Sequence, residues 1–226
     1  MTRNPIIVAL DMPTSDDALR LVDTLGDAVE FYKVGLELFT AAGPALPREL
    51  CARGKHVFVD LKMFDIGETV KRATAQVAAL GARFLTVHSS PQVIRAAKEG
   101  ARGSGLQILA VTVLTSFDQQ DLADLGVERS TADQVDFLAA KGVDANVDGF
   151  VCSPLEVARL RSSTPPETVL VTPGVRSAGA DKGDQKRVAT PAEAIAAGAD
   201  YLVIGREITR APDPASAARR ILAGLA

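Results

Sequence analysis

The chain alternates short apolar runs, rich in β-branched residues, with longer segments rich in Ala and Leu, and this alternation continues to its end. The short runs are continuously apolar rather than apolar at every second position, which is typical of parallel strands covered on both faces. The pattern predicts eight strands, at residues 6–11, 30–34, 56–61, 84–88, 108–114, 149–152, 169–172 and 201–204.

Three of the intervening segments carry clear helix signals. Segment 15–25 is predicted to have Ser15 as its N-cap, because a serine hydroxyl can accept from the first free backbone N–H groups of a helix. Segments 68–80 and 191–197 are followed by Gly81 and Gly198, and glycine favours the left-handed backbone at a helix C-terminus. Strands and helices therefore alternate along the chain.

The repeat length favours a barrel. Eight strand–helix units in 226 residues average about 28 residues each, which fits a compact barrel. We therefore expect an α/β fold, a single-domain (β/α)8 TIM barrel that spans residues 1–226. An open doubly wound parallel sheet is the alternative, because the number of strands does not show that the first pairs with the last.

Composition narrows the class of protein. The chain is 47% hydrophobic and has a net charge of −3, whereas proteins that bind nucleic acid carry a basic excess, so no nucleic acid is expected as a partner. Cys51 and Cys152 are too far apart for a CxxC zinc motif. The apolar run 6–10 is too short for a signal peptide, and the uncharged run 103–117 is shorter than the about 20 residues of a membrane span. We expect a cytoplasmic protein with no membrane partner.

Charged residues lie at the C-terminal ends of the predicted strands, where the active sites of TIM barrels lie. Asp60 and Lys62 are two positions apart, so a strand directs both to one side, and the barrel mouth is favoured because unpaired charges are costly to bury against helices. Lys33 and Asp65 can extend the pair to an alternating array of four charges. The alternative is an ion pair that only orders the rim. His88 also ends a strand, and we expect a supporting role for it.

Glycine and arginine occur together after each of the last two strands. Pro173-Gly174-Val175-Arg176 follows one strand, and Gly205-Arg206 follows the next. These loops commonly bind phosphate in TIM barrels, so a phosphate site is predicted, with ordinary tight turns as the alternative. The irregular segment 173–184 is predicted to be a lid over the site. Neither GxGxxG nor a P-loop motif occurs, so a bound dinucleotide has no support.

One segment resembles a family signature. Asp60-Leu61-Lys62-Met63-Phe64-Asp65-Ile66 is similar to the D-x-K-x-x-D-I motif of the orotidine 5'-phosphate decarboxylase family. Further matches, in the order that the family has them, lie at 9–11, 31–35, 111–116, 171–176, 184–185 and 203–206. The resemblance implies a homodimeric barrel that converts orotidine 5'-phosphate to UMP, the last step of de novo UMP synthesis, with neither metal nor cofactor.

The resemblance also implies roles for individual residues. Lys62 would protonate C6 of the pyrimidine within a catalytic network of Lys33, Asp60, Lys62 and Asp65. Asp65 and Thr69 would reach the neighbouring subunit's site. Asp11 and Lys33 would hold the ribose, Thr115 or Ser116 would meet the base, and the phosphate would be bound by Arg176, Gln185, Gly205 and Arg206. The implied substrate-binding set is Asp11, Lys33, Asp60, Leu61, Lys62, Met63, Phe64, Asp65, Ile66, Gly67, Glu68, Thr69, Thr115, Ser116, Pro173, Arg176, Gln185, Gly205 and Arg206.

Two positions depart from the family pattern. Phe64 stands where many bacterial members have His, and Gly67 stands where they have Pro. Gly67 also resembles the related 3-hexulose-6-phosphate synthase branch, which uses a metal, although that branch carries an acidic residue where this chain has Lys33. Two alternative functions therefore stay open: a metal-dependent sugar-phosphate enzyme and a non-catalytic barrel that binds a phosphate ligand.

Overall fold

The computed structural model describes residues 4–177 and 189–225, which form eight parallel strands and the helices between them. The strands are β1 (Ile6–Ala9), β2 (Phe31–Gly35), β3 (His56–Met63), β4 (Phe84–His88), β5 (Gln107–Val111), β6 (Gly149–Val151), β7 (Val169–Thr172) and β8 (Tyr201–Ile204). Within these ranges the helices are α1 (Ser15–Leu25), α2 (Leu36–Ala42), α3 (Ala45–Ala52), α4 (Gly67–Ala78), α5 (Pro91–Gly100), α6 (Gln119–Asp124), α7 (Thr131–Asp144), α8 (Val157–Ser163), α9 (Pro191–Ala196), α10 (Arg206–Thr209) and α11 (Pro214–Ala223).

The sheet closes into a barrel. Each strand pairs with the next, and β8 pairs with β1 in parallel, with Ile6 opposite Leu202 and Val8 opposite Ile204. This pairing confirms the predicted (β/α)8 TIM barrel and excludes the open doubly wound sheet. None of the helices in the described residues is long and apolar enough to cross a membrane.

Several element boundaries differ from the prediction. The predicted strands 6–11 and 108–114 end earlier, at Ala9 and Val111, whereas strand 56–61 continues to Met63. Strand 30–34 shifts by one residue to Phe31–Gly35, and strand 149–152 ends one residue earlier, as Gly149–Val151. Apolar residues such as Leu10 and Val113 stay buried after the strands end, so hydrophobicity does not mark where backbone pairing stops.

Helix ends also differ from the prediction. Ser15 is the first residue of α1 rather than its N-cap; the cap is Thr14, which has an extended backbone and accepts a hydrogen bond from the Asp17 N–H. An N-cap residue typically has an extended backbone, which the sequence alone does not assign to either residue. The predicted helices 68–80 and 191–197 are observed as Gly67–Ala78 and Pro191–Ala196.

The barrel interior is filled by aromatic and aliphatic side chains near the N-terminal ends of the strands. The rings of Phe31, Phe84 and Tyr201 pack together with centroids 5.1 to 5.4 Å apart. The Arg83 guanidinium lies over all three rings, 5.6 to 5.8 Å from their centroids. This end of the barrel is therefore packed, and a polar cavity can form only at the other end.

Gly149 in β6 is required by close packing. A Cβ there would lie 2.2 Å from the Val169 carbonyl oxygen and 2.9 Å from Leu109 Cδ2. We expect Gly149→Ala to lower the free energy of unfolding by about 1–3 kcal/mol, measured by urea denaturation. Gly105→Ala is the control, because a Cβ there would meet nothing within 4 Å. Equal urea midpoints for the two variants would show that the sheet accommodates the added Cβ with no loss in the free energy of unfolding.

Candidate active site

A cavity of about 350 Å³ opens at the C-terminal ends of the strands. It brings together side chains that the sequence analysis selected from six separate segments, and apolar side chains from β1, β5, β6 and β8 also line it. The predicted site residues that line it are Asp11, Lys33, Asp60, Lys62, Thr115, Ser116, Pro173, Arg176, Gly205 and Arg206.

Lys33 connects two carboxylates at one side of the cavity. Its Nζ lies 3.0 Å from Asp11 Oδ1 and 3.6 Å from Asp60 Oδ2. Gly35, at the end of β2, leaves room for this contact, since a Cβ there would lie only 2.9 Å from Lys33 Nζ. A side chain at position 35 would therefore displace the ammonium group from between the carboxylates.

Lys62 extends the contacts to a row of four charges. Its Nζ donates to Asp60 Oδ1 at 2.9 Å, so the charges alternate in the order Asp11, Lys33, Asp60, Lys62. The side chains of Asp60 and Lys33 are each only 12% exposed. Charges this well shielded from water interact more strongly than those of an exposed surface ion pair.

Asp60 is held in its charged form. Burial alone would raise the pKa of this carboxyl, but the charges of Lys33 and Lys62 and hydrogen bonds from Lys62 and Thr86 bring its pKa below the usual value. Asp60 is therefore a carboxylate at neutral pH. The site keeps a buried negative charge directly beside an ammonium group.

The backbone at Lys62 departs from a regular strand. Val59 pairs with Leu85, and the next pairing is Met63 with Val87, so residues 60–62 of β3 bulge opposite the single residue Thr86 of β4. Lys62 has a φ of 48°, in the left-handed region that non-glycine residues rarely adopt. Such strained backbone persists where the surrounding contacts maintain it, and it occurs often at active sites.

Thr86 is a site residue that the sequence analysis missed. Its Oγ1 accepts a hydrogen bond from the Lys62 N–H at 2.9 Å and donates one to Asp60 Oδ1 at 2.8 Å. Thr86 is fully buried in the middle of β4. A hydroxyl at a buried strand position was the available signal, since buried polar groups need partners.

The predicted phosphate-binding loops line the same cavity. Pro173, Gly174 and Arg176 follow β7, and Gly205 and Arg206 follow β8. Gly174 has a φ of 77°, so glycine gives this loop a turn that other residues would strain. Both arginines line the cavity that holds the charge array, so one ligand can contact the arginines and the array together. Gln185 and residues 178–184 of the predicted lid lie outside the described residues.

A second group of predicted site residues does not line the cavity that holds the charge array. Leu61, Met63 and Phe64 line a neighbouring cavity of about 590 Å³, which also contacts Lys62 and His88. Asp65 is exposed, and its carboxylate accepts a hydrogen bond from the Ile66 N–H. The remaining residues begin α4 and do not line the main cavity: Gly67, Glu68 and Thr69.

His88 borders this neighbouring cavity. Its ring contacts the edge of Phe64, with centroids 5.7 Å apart. Burial and, secondarily, the charge of Lys62 lower the pKa of His88, so the imidazole is mostly neutral at neutral pH. A neutral, half-buried imidazole packed on a ring fits the supporting role that the sequence predicted.

The described side chains do not form a metal site. Across residues 4–177 and 189–225, no three His, Cys, Asp or Glu side chains come together as a set that could hold a metal ion. Asp11 and Asp60 each contact a lysine ammonium instead of one another.

Together the fold and the cavity define a class of protein. A (β/α)8 barrel with alternating charges and a Gly/Arg pair of loops at its C-terminal face is a TIM-barrel enzyme site suited to a phosphorylated anion. Comparison with known sequences identifies the family: residues 4–221 match the orotidine 5'-phosphate decarboxylase / HUMPS family, and the chain belongs to it. The resemblance seen in the sequence is thereby confirmed.

Individual relatives agree with this assignment. The chain is 54% identical over 224 residues to an orotidine 5'-phosphate decarboxylase of Rhodopseudomonas palustris strain ATCC BAA-98 / CGA009, covering 99% of this chain and 94% of that one. It is 52% identical over 227 residues to the protein of that name from Methylobacterium sp. strain 4-46, covering 99% and 96%. A crystal structure of orotidine 5'-phosphate decarboxylase from Lactobacillus acidophilus superposes with a TM-score of 0.88 at 36% identity, covering 99% of both chains.

Proposed function

We propose that this protein decarboxylates orotidine 5'-phosphate to UMP, the last step of de novo UMP synthesis, using side chains alone. The observation that carries the proposal is that one cavity holds both the Asp11–Lys33–Asp60–Lys62 array and the arginine loops. The substrate has a carboxylate at one end and a phosphate at the other, so it matches the charges along that cavity. Residues 1–226 act as one barrel domain in this proposal, with a cytoplasmic location.

The reaction requires an electrostatic catalyst. The bond between C6 and the carboxylate carbon breaks, CO2 leaves, and the electron pair remains on C6, where it takes a proton from Lys62 Nζ. An ammonium about 4 Å from C6 stabilises a unit negative charge there by about 4 kcal/mol at an effective dielectric of about 20. Enzymes lower barriers by about 8–23 kcal/mol, so one lysine supplies only part of the effect.

The rest of the array supports this step. Because the four charges are fixed by their mutual contacts before substrate binds, little reorganisation is needed as the carbanion develops. Asp60 lies beside the proposed position of the substrate carboxylate and disfavours it relative to neutral CO2. Asp11 and Lys33 bind the ribose hydroxyls, and Thr115 or Ser116 meets the base.

The phosphate end contributes binding energy at a distance from the chemistry. Arg176 and Arg206, with the backbone at Gly205 and the Gln185 side chain, bind the phosphate in this proposal. A guanidinium donates two parallel hydrogen bonds to phosphate oxygens, which fixes the orientation of the whole nucleotide. Energy gained there holds the carboxylate against the charge array.

The second group of site residues suits a homodimer. Phe64 and Ile66 are 68% and 71% exposed, and they flank the exposed Asp65 next to an open cavity that Lys62 lines. Large apolar side chains around an acidic residue are typical of a surface that a partner covers. We infer that a second copy packs there and that Asp65 and Thr69 enter its site, where Asp65 adds a carboxylate beside Lys62.

A UV assay tests the proposed function. Purified protein is mixed with orotidine 5'-phosphate with and without EDTA, and loss of substrate absorbance is followed. Decarboxylation that EDTA does not change supports the proposal. Activity lost with EDTA and restored by Mg²⁺ would indicate a metal-dependent enzyme, and UMP binding without turnover would indicate a barrel that only binds a phosphate ligand.

Removing the phosphate contact at Arg206 is expected to raise KM. We expect Arg206→Ala to lower kcat/KM by about 10²-fold, because a charge-assisted bidentate contact is lost, with a smaller decrease in kcat. Arg210→Ala is the matched control, since Arg210 is exposed one helical turn further along and does not line the cavity. An unchanged kcat/KM for Arg206→Ala, measured by initial rates, would exclude the phosphate role.

A further inference from the structure

The bulge in β3 leaves the backbone of Lys62 without a regular strand partner. Residues 60–62 lie opposite Thr86 alone, so the ladder of β3 and β4 is interrupted where the charged residues are. Lys62 also holds a φ of 48°. A buried backbone N–H needs an acceptor, and an unsatisfied one destabilises the conformation that contains it. Something other than the ladder must therefore maintain this backbone.

Thr86 supplies that acceptor from its side chain. The Lys62 N–H donates to Thr86 Oγ1 at 2.9 Å, which occupies the oxygen and leaves the hydroxyl hydrogen to be donated elsewhere. That hydrogen goes to Asp60 Oδ1 at 2.8 Å, the same oxygen that accepts from Lys62 Nζ. A single hydroxyl thus links the strained backbone, the carboxylate and, through it, the ammonium group.

We propose that Thr86 is a positioning residue of the catalytic array, whose hydroxyl fixes the Lys62 backbone and the Asp60 carboxylate relative to each other. This inference rests on the proposed function for its kinetic consequence. Thr86 lies behind Asp60 and does not line the cavity, so it acts through Asp60 and Lys62 rather than on the substrate. Without the hydroxyl, the bulge relaxes and the Lys62 ammonium moves away from the reacting carbon.

Substitution of Thr86 by valine tests the proposal, because valine keeps the shape and removes the hydroxyl. We expect Thr86→Val to lower kcat by about 10- to 100-fold with KM within about twofold, since the hydroxyl positions reacting groups and does not bind substrate. Thr86→Ser should restore most of kcat. Thr74→Val is the control: Thr74 is fully buried in α4, and its Oγ1 has no hydrogen-bond partner among the described residues.

A titration gives a readout that does not depend on activity. Asp60 is faced by Lys33 from β2, Lys62 from β3 and Thr86 from β4, while Asp11 contacts Lys33 and the charge of Lys62 reaches His88. Thr86 donates to the charged form of Asp60, so its removal should raise the pKa of Asp60. NMR titration of the Asp60 carboxyl should show this rise in Thr86→Val but not in Thr74→Val.

The outcomes separate the two proposals. If the wild-type protein does not decarboxylate orotidine 5'-phosphate, the proposed function fails, and the titration of Asp60 still tests the role of Thr86. If the wild-type protein is active, wild-type kcat and an unchanged Asp60 titration in Thr86→Val would overturn the inference. A Thr86→Ser variant as impaired as Thr86→Val would also overturn it, because the methyl group rather than the hydroxyl would then be required.

Discussion

Replacing Lys62 with alanine should lower kcat for decarboxylation by at least about 10⁵-fold, since the loss combines about 4 kcal/mol of charge stabilisation with the loss of the proton donor. The proposed phosphate contacts come from Arg176 and Arg206, which follow other strands, so UMP should still bind, with Kd changed by less than about tenfold. Initial rates from the UV assay and calorimetric titration of UMP measure the two effects.

Lys62→Arg distinguishes charge from proton transfer. Arginine keeps a positive charge near Asp60, but its guanidinium holds its proton too tightly to serve as the acid. We expect an activity between those of wild type and Lys62→Ala. Near-normal turnover in Lys62→Ala would contradict the assignment of Lys62 as proton donor, and loss of UMP binding would show that the substitution disturbs the whole cavity.

Mixing two inactive variants should restore activity if Asp65 acts across a dimer interface. Asp65→Ala alone should lower kcat by about 10²-fold or more, because the carboxylate beside the neighbouring subunit's Lys62 is lost. In a mixed dimer of Lys62→Ala and Asp65→Ala chains, one site carries both substitutions and the other carries neither. Random exchange makes half of the dimers mixed, so about a quarter of wild-type activity should return.

A second mixture is the matched control for that experiment. Lys62 and Lys33 lie in the array of one chain, so every site in a mixed dimer of Lys62→Ala and Lys33→Ala chains keeps one defect. No activity should return on mixing. If the mixture of Lys62→Ala and Asp65→Ala also stays inactive although the chains exchange, Asp65 does not complete the partner's site.

The charge pair shows how far the sequence could predict the site. Spacing of two along a strand indicated that Asp60 and Lys62 share a side, and they do meet at 2.9 Å. The bulge and the φ of 48° at Lys62 could not be predicted from the sequence, because an argument from residue spacing assumes a regular strand. Thr86 was also missed, because its hydrogen bonds depend on which residues of the neighbouring strand lie opposite it.

The fold was more predictable than its details. Continuous apolar runs marked eight parallel strands, yet closure depended on the pairing of β1 with β8, which no local pattern encodes. Thr14 rather than Ser15 caps α1, because the choice between adjacent hydroxyls depends on backbone angles. Local composition therefore predicts which elements exist, and long-range contacts determine where they end.

Barrel closure has a consequence for synthesis of the protein on the ribosome. Ile6 of β1 pairs with Leu202 of β8. The cavity is lined by Asp11, which follows β1, and by Arg206, which follows β8. At a translation rate of about 5–20 residues per second, about 10–40 s pass between the synthesis of β1 and that of β8, its second neighbour in the barrel. Over that interval the nascent chain has an unpaired apolar edge and no complete site, so ligand binding cannot assist folding until β8 has emerged.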